Sequence, residues 1–188
     1  MTMQVTDDLL YEGERYVILQ GPAKLGFDPA DYAMWPIGLS TANRRGYWCE
    51  YAVTDGRLTL EKLSINNRID YYPLINGIAP VLLEEAEAEV PDADERETAD
   101  GKRRLSNKYH FYENIGLALG YSGRIVVGCN QQTCLYRGYL FPPAWVFGTV
   151  LELTFENGLL VDTADISGQF TEERARRIER GLRRFDES

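Results

Sequence analysis

A chain of 188 residues with 44% apolar side chains is long enough for one domain with its own core, and too apolar for global disorder. Its 12% aromatic share, carried mainly by twelve tyrosines and seven phenylalanines, tilts the class towards β-structure. The formal net charge of −9 argues against nucleic-acid binding, and without a run of about 18 apolar residues no membrane-spanning helix is expected.

In chain order, Met1 to Asp8 has neither a basic segment nor an apolar stretch, so no secretory signal is read there and a cytoplasmic location is expected. Leu9 to Gln20 reads as a hairpin turning at Glu12-Gly13-Glu14. Residues 21 to 43 hold Gly21-Pro22, Pro29, Pro36 and Gly38 and read as loop, with Phe27, Tyr32 and Trp35 expected to pin it to the body. The clearest hairpin follows. Gly46 to Thr54 places Tyr47, Cys49, Tyr51 and Val53 on one face, Asp55-Gly56 turns, and the return strand carries Leu58, Leu60 and Leu63.

Charge is concentrated next. Glu84 to Asp100 contains nine acids and one base, a net −8 that leaves the rest of the chain almost balanced. With Pro91 and no apolar periodicity beyond Val90, residues 84–104 are expected to form a mobile acidic loop, closed by Lys102, Arg103 and Arg104. Such a loop serves either as a solubilising insertion or as an arm that engages a basic protein partner. Tyr109 to Leu119 reads either as a helix or, from Ile115, as a strand that pairs across Ser122-Gly123; the strand is favoured. A third hairpin runs from Val146 to Phe155, turns at Asn157-Gly158 and returns to Val161. Glu50 to Gly56 and Glu152 to Gly158 echo one another, and Arg45-Gly46-Tyr47 recurs as Arg137-Gly138-Tyr139. Finally, Thr171 is placed as the cap of an amphipathic helix whose apolar stripe is Ala175, Ile178, Leu182 and Phe185, with Phe170 packing back onto Ala175.

No catalytic residue is assigned, because the single histidine, His110, sits among aromatics without a motif partner. Cys49, Cys129 and Cys134 have neither redox nor zinc spacing, so they read as thiols; no metal and no cofactor is expected. Recognition potential is highest in Ser40 to Trp48, where two arginines meet two large aromatics. The candidate binding residues are therefore Arg44, Arg45, Tyr47, Trp48 and His110. The competing reading makes Arg45 a loop brace, Tyr47 a core residue and Trp48 a cover for the sheet's other face.

Ser40-Thr41, Arg45-Gly46-Tyr47, Asp55-Gly56 and Leu58 to Leu60, together with Ser122-Gly123 and Glu152 to Gly158, resemble a hairpin pattern found in a group of small bacterial proteins. By analogy such acidic proteins are similar to immunity proteins that neutralise toxins. The expected fold is one α+β domain, 1–188, dominated by antiparallel β-structure. Six or more strands form a curved sheet or open barrel, with one C-terminal amphipathic helix. The expected function is a non-enzymatic bacterial protein–protein interaction module, with an immunity-type inhibitor as its expected form; the alternative is a small-molecule binding protein or enzyme with its pocket in the curved sheet.

Overall fold

The computed structural model describes residues 4–22, 24–82, 109–132 and 141–186, with the side chains of the last helix described as far as Glu179. The acidic stretch 84–104, Cys134 and Arg137-Gly138-Tyr139 lie outside these residues. Ten strands make one mostly antiparallel sheet. They are β1 (Asp8–Tyr11), β2 (Glu14–Gln20), β3 (Tyr47–Thr54), β4 (Arg57–Ile65), β5 (Val81–Leu82), β6 (His110–Tyr112), β7 (Leu117–Ala118), β8 (Gly123–Gln131), β9 (Phe147–Glu156) and β10 (Leu159–Asp165). The helix α1 (Thr171–Asp186) ends the chain.

Three hairpins lie where the sequence puts them: β1–β2, β3–β4 and β9–β10. Their turns, Glu12-Gly13, Asp55-Gly56 and Asn157-Gly158, all place both residues at positive φ, between 47° and 80°. That geometry matches the right-handed twist of the flanking strands. The strand order is β10-β9-β8-β2-β1-β3-β4-β6-β5, with β7 also on β4. Only β1 and β3 pair in parallel among these neighbours. The sheet curls until β10 returns to β4, where Leu159 faces Arg57. The Leu58 N–H donates to the Gly158 carbonyl and the Leu160 N–H to the Gly56 carbonyl, each at 2.8 Å. The seam joins only the tips of the two echoing hairpins, so the architecture is ring-like without being a closed barrel.

The main core fills the ring. Tyr16, Leu9 and Tyr51 face one another across β2, β1 and β3, with Leu9 fully buried. Strict alternation from Leu58 and Leu60 would send Leu63 outward. A bulge between the Glu50–Lys62 and Tyr51–Leu60 pairs adds one residue to β4, so Leu63 and Ile65 also point inward and are fully buried. A smaller core of Val146, Phe147 and Val150 lies on the opposite face of β2 and β8, where Val17, Leu19, Val126, Ile166 and Phe170 pack against it.

Several expectations are corrected. Ser122-Gly123 does not join a hairpin: β7 pairs with β4, whereas β8 pairs with β9 and β2. For the 109–119 segment the favoured strand reading holds: β6 and β7 both run along β4, with Asn114 and Gly116 at positive φ between them. Trp35 is 53% exposed, whereas Phe27 and Tyr32 do pin the loop to the core, together with Leu25 and Met34. Thr171 is not a cap but already helical at φ −62°, ψ −46°, since a 3-10 turn over Ser167–Phe170 runs directly into α1. The Asp165 carboxylate accepts from the Ser167 N–H at 2.8 Å at the start of that turn. Ala175 and Ile178 are exposed, and Phe170 packs into the smaller core. The helix is tied down by a cation, with Arg174 donating to the carbonyls of Trp145 (3.0 Å) and Phe147.

Candidate functional site

The five candidate binding residues divide between separate places. Tyr47 and Trp48 are neighbours in β3, so their side chains leave the sheet on opposite faces. Tyr47 is buried and shares a cross-strand row with Ile65 and His110. His110 stacks on Tyr72, the rings 3.5 Å apart between centroids and 22° from parallel. On the other face Trp48, which is half-buried, packs against Tyr109 at 5.0 Å and edge-on to Phe111 at 6.3 Å. Arg44 is exposed. Arg45 and Tyr47 touch, the guanidinium lying 4.3 Å from the centre of the phenol ring.

Arg45 is held from three sides. It donates to both carboxylate oxygens of Asp7, at 2.9 Å from Nη1 to Oδ2 and by a second bond from Nη2 to Oδ1, while its Nε–H donates to the Tyr47 carbonyl at 3.1 Å. Asp7 Oδ1 also accepts the Cys49 N–H at 2.7 Å. This one carboxylate therefore links the N-terminal segment to the 40s loop and to β3. Burial pushes the Tyr47 phenol up to about 12, with the Arg45 charge offsetting part of the rise. Burial likewise raises the Cys49 thiol far above its usual range, which keeps it protonated and inert.

The pair borders a half-open cleft of about 490 Å3. One wall is the N-terminal segment Gln4 to Asp7, fastened by the Val5 N–H donating to the Ala42 carbonyl (2.7 Å) and the Gln4 amide to the Thr41 carbonyl (2.6 Å). The opposite wall is the end of β2 and the turn after it, Ile18 to Pro22, with the Ile18 N–H donating to the Asp7 carbonyl at 3.0 Å. Asn43, Arg45 and Phe141 complete the lining. Asn43 is itself occupied: its Nδ2 donates to the Tyr109 hydroxyl at 3.2 Å and its Oδ1 accepts the Gly46 N–H at 3.1 Å.

The lining thus combines apolar side chains with amides and one neutralised charge pair. That combination is suited to holding an organic molecule. Its one carboxylate is committed to Arg45 and Cys49, so it is poorly placed to act as a general base. Among the described residues no three His, Cys, Asp or Glu side chains gather as metal ligands, and no helix is long and apolar enough to cross a membrane. Glu50 and Glu152, the carboxylates at matching points of the echoing hairpins, pair separately with Arg15 and Lys62 and with Arg124.

Of the residues around the cleft, sequence reasoning singled out only Arg45. Gly21-Pro22 gave a signal for the end of β2, but nothing local distinguished Asp7 among the chain's 29 acids. Comparison with protein families, curated proteins and solved structures finds no match to this chain.

Proposed function

We propose that the protein binds a small organic molecule in the cleft between its N-terminal segment and the end of β2. The observation that carries this reading is the cleft itself: about 490 Å3, walled by Val5, Ile18, Leu19, Pro22 and Phe141, with the Asp7–Arg45 pair at its edge. Sites for small molecules run from about 300 to 1,000 Å3 and combine apolar walls with a few placed polar groups. Thermal shift against a library of metabolites tests it, because a ligand at 100 times its Kd stabilises by about 2.7 kcal/mol. A hit whose shift disappears in Val5→Trp, which fills the cleft from an exposed position, supports the reading. Hits that persist in that variant overturn it.

A second reading, an interaction module of the immunity type, rests on one observation in the sequence: residues 84–100 carry a net −8. Exposed charge of this kind acts over about 8 Å at physiological salt, so binding to a basic protein would weaken steeply as salt rises. A pull-down with the intact chain and with residues 84–104 deleted separates the outcomes. Capture of a basic protein that needs both the segment and low salt supports it, and capture indifferent to both overturns it.

A further inference from the structure

We infer that the ligand of this cleft is uncharged, an inference that rests on the small-molecule reading above. A cationic side chain at the edge of an apolar cleft ordinarily announces an anionic ligand. Here the geometry removes that invitation. The fork of Arg45 is spent on Asp7, with one donor to each carboxylate oxygen, so the recognition geometry that Arg offers an incoming carboxylate or phosphate is already filled. Its Nε–H is given to the Tyr47 carbonyl and its flat face lies over the Tyr47 ring, 4.3 Å from the centre.

Asp7 is no more available to a cation. It is shared between Arg45 and the Cys49 N–H, and its side chain is only 12% exposed. The two charges sum to zero, and among the described residues they are the only ionisable side chains of the lining. What remains for a ligand among the described residues is the apolar surface of Val5, Ile18, Leu19 and Phe141 and the amide of Gln20. An anion entering there would shed water and meet no uncompensated cation, which costs far more than moving a neutral molecule of the same shape. The chemical class is a neutral, largely aromatic or aliphatic molecule with a hydrogen-bonding group at one end.

Two fluorescent probes that share an aromatic skeleton test this on the full-length protein: neutral phenylnaphthylamine and its anionic relative, anilinonaphthalene sulfonate. Wild type is expected to bind the neutral probe about tenfold or more tightly than the sulfonate. Val5→Trp and, separately, Gln20→Trp are expected to abolish that binding. In Asp7→Asn the Cys49 N–H keeps an oxygen acceptor while Arg45 loses its counter-charge, and affinity for the sulfonate is expected to rise about tenfold. If both tryptophan variants leave binding of the neutral probe untouched, the small-molecule reading fails. If they block binding but wild type prefers the sulfonate, or Asp7→Asn leaves the preference unmoved, the cleft stands and the neutral-ligand inference is overturned.

Discussion

At the scale of single residues, Asp7 does more than any other described side chain to hold the candidate site together. Its carboxylate serves Arg45 through two bonds and the Cys49 N–H through a third, joining segments 38 and 42 residues away. Truncation to alanine would leave a largely desolvated guanidinium and a β3 amide without their acceptor. Hydrogen bonds to charged groups are worth about 1.5–3 kcal/mol, so Asp7→Ala is expected to cost about 2 kcal/mol, read as a lower urea midpoint with unchanged slope. An unchanged midpoint would mean that water replaces Asp7 at no cost and that the pair is not a clamp. The sequence exposed only half of this arrangement. Arg45 stood out beside Tyr47 and Trp48, whereas Asp7 owes its role to contacts across 38 residues that no local pattern encodes. Arg44, Arg45, Tyr47 and Trp48 read as one group because they lie close in sequence, and His110 joins them as the chain's single histidine. Strand parity separates Tyr47 from Trp48, and the β4–β6 pairing carries His110 two strands away from Tyr47.

At the scale of elements, the two echoing hairpins look interchangeable in sequence and are not so in place. Gly56 (φ +73°) has nothing within 4 Å of a would-be Cβ, whereas at Gly158 (φ +79°) a Cβ would lie 1.9 Å from the Leu119 carbonyl oxygen. Gly56→Ala should therefore cost only the left-handed backbone, about 1 kcal/mol. Gly158→Ala adds a collision with main chain beside the ring-closing bond from the Leu58 N–H to the Gly158 carbonyl, and beside the bond from the Gly158 N–H to the Tyr121 carbonyl. Thermal melts of the two variants are expected to differ by several degrees, and equal losses would show that the seam yields without cost. The hairpins were legible because an Asp-Gly or Asn-Gly dipeptide fixes turn, register and facing together. The pairing of β2 with β8, the parallel β1–β3 contact and the meeting of the two tips were not, because they depend on how the whole sheet curls. Ser122-Gly123 misled for the same reason: a turn dipeptide gives the turn, while the partner of each strand is chosen by the core it must cover. Arg174 hid the docking of α1 in a similar way, since its bonds go to main-chain carbonyls that any sequence supplies.

At the scale of the whole molecule, the ring is filled mainly by aliphatic side chains, with four phenols set among them. Tyr16 on β2, Tyr47 and Tyr51 on β3 and Tyr112 on β6 are all buried, and the Tyr112 hydroxyl donates to the Pro73 carbonyl at 2.8 Å. Burial raises all four above the ordinary tyrosine value of 10, Tyr16 and Tyr47 to about 12. A phenol whose folded pKa lies above its unfolded value gives stability that is complete below the unfolded value and is lost as pH climbs towards the folded one. Between pH 10 and 12 the unfolded chain releases these protons while the folded chain retains them, so unfolding gains on folding throughout that window. The urea midpoint is expected to be flat with respect to these groups up to about pH 9 and to fall steeply above 10. Because the four rings are distributed over three strands of one ring-like sheet, their ionisation should act on a single transition rather than release one edge at a time. A urea midpoint that stays unchanged from about pH 9 to about pH 11 would overturn this, because it would mean that these phenols release their protons as easily in the folded protein as in the unfolded chain.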